Sequence, residues 1–195
     1  MLKIITAPND ILSQQAKPVV KIDYSIRELI NEMKQTLLAT IDPEGVGLAA
    51  PQIGKNLQIF ITRPKIKSPI TVFINPVIQA RGDANEERKK EEPRVSKKKK
   101  DAQLEGCLSL PSIWGEVKRS QIIELSYLDE NGKPHKRKFS GFIATIIQHE
   151  YDHLNGILFP KRVLEQKGKL YKSKKDEKSL PAGRQGKDVF EEIEI

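Results

Sequence analysis

Cysteine is nearly missing from this chain: Cys107 is the single one among 195 residues. No intramolecular disulfide can form, so nothing calls for an oxidising compartment. Long apolar runs are missing as well. None approaches the ~20 residues that cross a bilayer as a helix, and the first ten residues meet Pro8 and Asp10 before a signal-peptide core can form. The expectation is a soluble, cytoplasmic protein. Histidine is scarce, with three in the chain, and so is tryptophan, with one. The scarcity of both makes the places where they fall informative.

What is present is charge. The formal net charge is +8, which suits nucleic acid, an anionic surface or plain solubility, so its distribution has to decide. Residues 81–101 hold nine basic and six acidic side chains, a net of +3, with Val95 as the only larger aliphatic. Such a stretch cannot bury a face, and it reads as an exposed insertion. After Val163 the chain turns lysine-rich, is loop-like from Ser179 to Gly186, and ends acidic. A length of 195 residues fits one domain with a real core.

Between these charged stretches the pattern is ordered. Ile26, Leu29, Ile30, Met33, Leu37 and Leu38 recur at three- and four-residue steps and predict an amphipathic helix over 24–40, with Asp23 as N-cap. Residues 45–54 form a glycine-bearing loop. Residues 57–62 and 70–74 are β-rich and predict a strand pair. Residues 121–127 and 136–139 flank Asp129-Glu130-Asn131-Gly132, a hairpin signal. Residues 141–154 predict a second helix on which Phe142, Ile146, His149 and His153 share a face, stopped by Asn155-Gly156.

That second helix carries the strongest chemical signal, His149-Glu150-Tyr151-Asp152-His153. Histidines at i and i+4 lie one turn apart and can grip one metal ion, with the adjacent glutamate able to reach a metal-bound water. Two histidines leave the site one ligand short. Downstream, Glu165 is the nearest carboxylate beyond the helix. Upstream, Cys107 sits in Glu105-Gly106-Cys107-Leu108-Ser109-Leu110-Pro111. A lone cysteine is by default a small buried apolar group, but beside the histidine pair a Cys-His-His set is the natural completion. In the glycine-bearing loop, Gln52 offers a side-chain amide that could meet a developing oxyanion. The loop lacks the lysine of a phosphate-binding loop.

Three segments, GVGLAAPQIG, EGCLSLP and QHEYDHLNG, resemble in this order the three signature motifs of the peptide deformylase family. The resemblance runs from about residue 4 to 162, interrupted by the charged insertion. It implies a single-domain α+β fold over 1–163, with antiparallel or mixed β-sheets surrounding the helix that carries the HExxH motif, and a charged tail over 164–195 that is not a separate domain. It implies hydrolysis of the N-terminal formyl group of formyl-methionyl nascent polypeptides. It also implies one divalent metal, Fe²⁺ first and Zn²⁺, Ni²⁺ or Co²⁺ as alternatives, held by Cys107, His149 and His153. Glu150 takes the role of general acid/base, and Gln52 with the Leu108 N–H that of the oxyanion site. Val46, Gly47, Glu105, Phe142, Thr145 and Ile146 match the lining of the methionine pocket, and Glu105 is expected to pair with Arg119. Trp114 falls where it could touch substrate residues after methionine. The chain departs from the family pattern in about fifteen extra charged residues before the cysteine motif, and in Ser13, where an arginine commonly follows leucine.

Two other readings compete. A metal-dependent peptidase would use the same two histidines with Glu165 as third ligand. A ribosome- or RNA-binding protein on a retired scaffold is suggested by Lys97–Lys100 and Lys172–Lys175, but only Tyr171 supplies an aromatic there and no RNA-binding motif is present. Intact ligands and Glu150 speak for an enzyme. A binding role near the ribosomal exit tunnel could coexist with it; no membrane and no specific DNA partner is expected.

Overall fold

Helix α1, Tyr24–Ala39, starts where the Asp23 side chain accepts the Ile26 N–H at 3.2 Å, satisfying one of the amide donors a helix leaves free at its N-terminus. Leu29, Ile30, Met33 and Leu37 form its buried stripe. Leu38 departs from the expected face and is 52% exposed, because one residue after Leu37 the helix has turned by 100°. The computed structural model to which these positions belong describes residues 2–41, 44–82, 103–175 and 188–194. Most of the charged insertion, from residue 83 on, and the expected loop at 179–186 lie outside them.

Among the described residues, nine strands make two antiparallel sheets. The first has the order β1-β2-β3-β6-β7, from β1 (Gly47–Ala49), β2 (Ile59–Thr62), β3 (Thr71–Gly82), β6 (Ile122–Leu128) and β7 (Pro134–Ser140). The second has the order β4-β5-β8-β9, from β4 (Gln103–Cys107), β5 (Leu110–Val117), β8 (Leu170–Lys175) and β9 (Asp188–Ile193). The expected strand pair is β2 with β3, in register Phe60 to Phe73. The expected hairpin is β6–β7, its turn held by Asp129 Oδ1 accepting the N–H groups of Asn131 and Lys133, with Gly132 at φ +81°. β3 runs longer than expected, bent by a bulge at Asn75, whose amide bonds both backbone groups of Val19 at 2.8 Å.

The first sheet is covered on both faces. Side chains alternate along β2: Ile59 and Ile61 join Leu29, Ile30, Met33 and Leu37 of α1, while Phe60 joins Phe73, Ala144 and Ile147. The last two belong to helix α2, Phe142–Leu154, the element that carries the histidine pair. Helix α3, Phe159–Glu165, packs Phe159 and Val163 against the second sheet at Val117 and Leu170. This arrangement is the expected α+β fold around the HExxH helix. Strands β8 and β9, and the last two residues of α3, occupy sequence read as charged tail. Among the described residues no helix is long and apolar enough to cross a membrane.

Candidate functional site

Helix α2 packs on the first sheet and turns His149 and His153 toward β4 of the second, while Glu150 lies against Gly47 of β1. The alternation of β4 turns Glu105 and Cys107 to the same side, and both are buried. Donor atoms of Cys107, His149 and His153 all lie within 4.8 Å of one another. The Cys107 Sγ is 3.2 Å from His153 Nε2, and the imidazole centroids are 5.0 Å apart at 73°. The three residues drawn from two distant segments are thus brought to one point. Glu165, the alternative ligand, pairs with Arg162 at 2.9 Å and belongs to no such cluster. The third histidine, His135, is bonded to Asp129 in the β6–β7 hairpin at 2.8 Å.

His149 Nδ1 bonds the Glu105 carboxylate at 3.0 Å. A carboxylate partner makes Nδ1 the protonated nitrogen and leaves Nε2 as the lone-pair donor. Glu105 is in turn gripped by both arms of Arg119, at 2.8 and 2.9 Å. Arg119 also reaches Asp152, which Arg162 bonds through Nη2 at 2.7 Å. The expected Glu105–Arg119 pair is present, and it extends to Asp152 and Arg162, which sequence reasoning passed over. The signal was available: a carboxylate at position 152 on the inner turn of a buried motif needs cations.

The electrostatics follow from burial and from these partners. Burial works against the Cys107 thiolate, but the facing imidazoles of His153 and His149 outweigh it and hold the thiol well below its ordinary range. For His149 burial disfavours the cation, and bonds to Cys107 and Glu105 overcome it, raising the imidazole well above its ordinary value. Glu150, 4% exposed, is pushed up to about 7 by desolvation. Its Oε2 has no hydrogen-bond partner among the described residues. A Cβ on Gly47 would run into the Glu150 carboxylate and come within 2.9 Å of its Cγ, so glycine leaves room for the carboxylate there.

These features fit a divalent metal. One soft anionic sulfur and two imidazole nitrogens are a usual donor set for such an ion, the second sphere is complete around His149, and a buried carboxylate with an unpartnered oxygen stands beside the cluster.

A cavity of about 450 Å³ opens onto the cluster. Val46, Gly47, Glu105, Phe142, Thr145 and Ile146 all line it, as do Gln52, Leu108 and Glu150. His153 lies behind, 1% exposed. Glu105 contributes to the wall, though its carboxylate is committed to Arg119 and His149; Phe142, 52% exposed, forms the rim. Gln52 sits in a short 3-10 turn, Ala50–Ile53. Its Oε1 accepts the Ala49 N–H at 2.8 Å, which aims Nε2 at Ser109 Oγ, 3.2 Å, and Cys107 Sγ, 3.5 Å. Ser109, fully buried, was not foreseen; it orients that amide. The apolar wall of Leu104, Leu110 and Ile113 was also not foreseen.

The polypeptide deformylase family model matches residues 1–169. A peptide deformylase of Synechocystis sp. is 42% identical over 156 residues, 78% of this chain and 74% of that protein. The crystal structure of a Synechococcus elongatus peptide deformylase in complex with actinonin superposes with a TM-score of 0.68 at 37% identity, covering 83% of this chain and 78% of that one. The Thermotoga maritima peptide deformylase does so with a TM-score of 0.68 at 33% identity, covering 83% and 97%.

Proposed function

We infer the roles of individual residues from a plain fact: this chain belongs to the polypeptide deformylase family. It is a metal-dependent hydrolase that removes the N-terminal formyl group from nascent peptides. The observation that carries our residue-level reading is the convergence of Cys107, His149 and His153 beside a buried Glu150 at the end of one cavity.

Cys107 Sγ and one nitrogen each of His149 and His153 would hold the metal, which when bound acidifies a water and polarises the formyl oxygen. Glu105 keeps the His149 ring in the tautomer that donates from Nε2. Glu150, poised near neutrality by burial, takes a proton from the attacking water and delivers it to the leaving amine. The Gln52 amide, with the Leu108 N–H, donates to the oxygen as it gains negative charge. Formyl is small and unhindered, so little space is needed at that end. Val46, Gly47, Thr145 and Ile146 wall the methionine side chain, with Phe142 at the rim and Glu105 behind.

For the metal we propose Fe²⁺. The donor set accepts Fe²⁺, Zn²⁺, Ni²⁺ or Co²⁺, and intrinsic affinity would favour zinc over iron, so availability sets the choice. We place the activity in the cytoplasm, where formylated chains emerge from ribosomes. Weak electrostatic association with the ribosome is favoured by the charge of Lys97–Lys100.

The deciding experiment is anaerobic purification, metal quantification and a formate-release assay on formyl-Met-Ala-Ser. We expect about one metal per chain and formate release, fastest with Fe²⁺ and lost on exposure to air. Formate release independent of metal would overturn the ligand assignment. Equal, air-stable activity of the Fe²⁺ and Zn²⁺ forms would overturn the iron assignment.

A further inference from the structure

The family match ends at residue 169; strand β8 begins at Leu170 and β9 at Asp188. β8 pairs with β5, a strand of the cavity wall. On β5, Trp114 pairs with Gly106 of β4 on one side and Tyr171 of β8 on the other. Its indole lies across Gly106: a Cβ there would meet the six-membered ring at 2.9 to 3.1 Å. The ring is thereby laid beside Cys107 and forms part of the cavity wall. From the far side, Phe190 of β9 meets the indole edge-to-face, with centroids 5.6 Å apart at 86°, a favourable aromatic geometry. Phe190 does not itself line the cavity. The hairpin that brings it is fastened by Tyr171 donating to Glu116 at 2.8 Å and by Lys169–Glu192 at 2.8 Å.

We propose that Phe190 is a positioning residue for Trp114, and that the buttressed indole selects formylated peptides carrying an aliphatic or aromatic side chain beyond the methionine. This rests on the reading of the cavity as the formyl-peptide cleft. With the methionine seated against Ile146, the remaining wall of Leu104, Ile113 and Trp114 is left to the residues that follow, and those three side chains carry no charge. An indole face fixed in place binds a flat or branched apolar group at less entropic cost than a ring free to swing.

The test compares formyl-Met-Ala-Ser with formyl-Met-Ala-Phe on the metal-loaded enzyme and on Phe190→Ala, with Phe190→Tyr as the conservative control. Because Trp114 is the chain's single tryptophan, its fluorescence also reports binding of the unformylated peptide Met-Ala-Phe. The wild type should favour the phenylalanine peptide. Phe190→Ala should raise KM for that peptide by about 3- to 10-fold with kcat unchanged, leaving the serine peptide within about twofold. Phe190→Tyr should restore the preference, and the fluorescence titration should weaken in parallel for Phe190→Ala. Equal losses on both peptides, or a KM and a fluorescence titration that do not move, overturn the proposal. If Phe190→Ala does not fold, Trp114→Leu must abolish the preference or the proposal falls. Absence of deformylation by the wild type would refute the cleft reading instead, and the titration alone would then decide whether Phe190 positions the indole.

Discussion

The two sheets are built to different standards. The first is clamped between α1 and α2, and every residue of β2 is buried. The second packs α3 on its core side, and its outer strands β8 and β9 are tied by exposed ion pairs. The candidate centre straddles this divide. His149, His153 and Glu150 come from the helix embedded in the clamped half, whereas Cys107 comes from β4 of the other. Chemistry that needs fixed geometry sits on the rigid side. A metal ion bound across the gap would therefore also staple the two halves, so its binding energy is partly folding energy.

Cutting that staple gives the largest effect. Cys107→Ala should abolish metal retention and deformylation together. Saturating metal should stabilise the wild type by mass action, by ~2.7 kcal/mol at a hundredfold excess over Kd, so raising its melting temperature, and leave the variant unmoved. Thermal scans with and without metal check this; a variant that keeps a full complement of metal would mean that the sheets are not joined through Cys107. Glu150→Gln comes next and acts on the clamped side alone. It should retain metal and melting temperature while kcat drops by about 10²–10⁴. Near-normal turnover would assign the proton to another group.

The third test addresses the ion-pair chain that spans the divide without metal. Burial disfavours the Asp152 carboxylate, but the bonds from Arg162 and Arg119 more than offset this and hold it below its usual range. Glu105 is held low in the same way, against burial, by Arg119 and His149. A carboxylate whose folded pKa is depressed adds stability above its unfolded pKa, about 4 for such groups, and loses it as pH falls through the folded value. Asp152→Asn leaves the buried Arg119 half-paired and should cost about 3 kcal/mol at neutral pH. It should also flatten the loss of stability below about pH 4. Denaturant melts at pH 7 and pH 3 measure both, and equal slopes with pH in the two proteins would count against the chain of pairs.

The same divide separates what the sequence made legible from what it hid. Helix α1 was readable because its stripe and Asp23 cap are local, and the β6–β7 turn because Asp129 and Gly132 lie within four residues. The metal cluster was readable from i,i+4 spacing plus one cysteine, and the resemblance supplied the roles. Strands β8 and β9 were not, since Leu-Tyr-Lys-Ser-Lys-Lys shows little apolar alternation. Its order comes from pairing with β5 and with glutamates about twenty residues away, a non-local cause that no short window contains. Glu105 was read as pocket wall and as the partner of Arg119, and it is both; its bond to His149 was not read, because a sequence names a side chain without saying where its carboxylate points.

The smallest expected effect probes the looser half directly. Lys174 and Glu191 meet at 2.7 Å, with side chains 59% and 56% exposed. Water screens such a pair, and holding two long side chains in one rotamer costs entropy that cancels much of the attraction. Lys174→Ala should therefore shift the melting temperature by no more than about a degree and leave deformylation untouched. Adding salt should reduce even that difference. A loss of several degrees would show that the outer strands hang on cross-strand charge, not on the contact of Leu170 with α3 and of Trp114 with Phe190. The second sheet would then be weaker than its apolar contacts suggest, and the salt dependence of its melting would become the sharper measure of the contrast with the first.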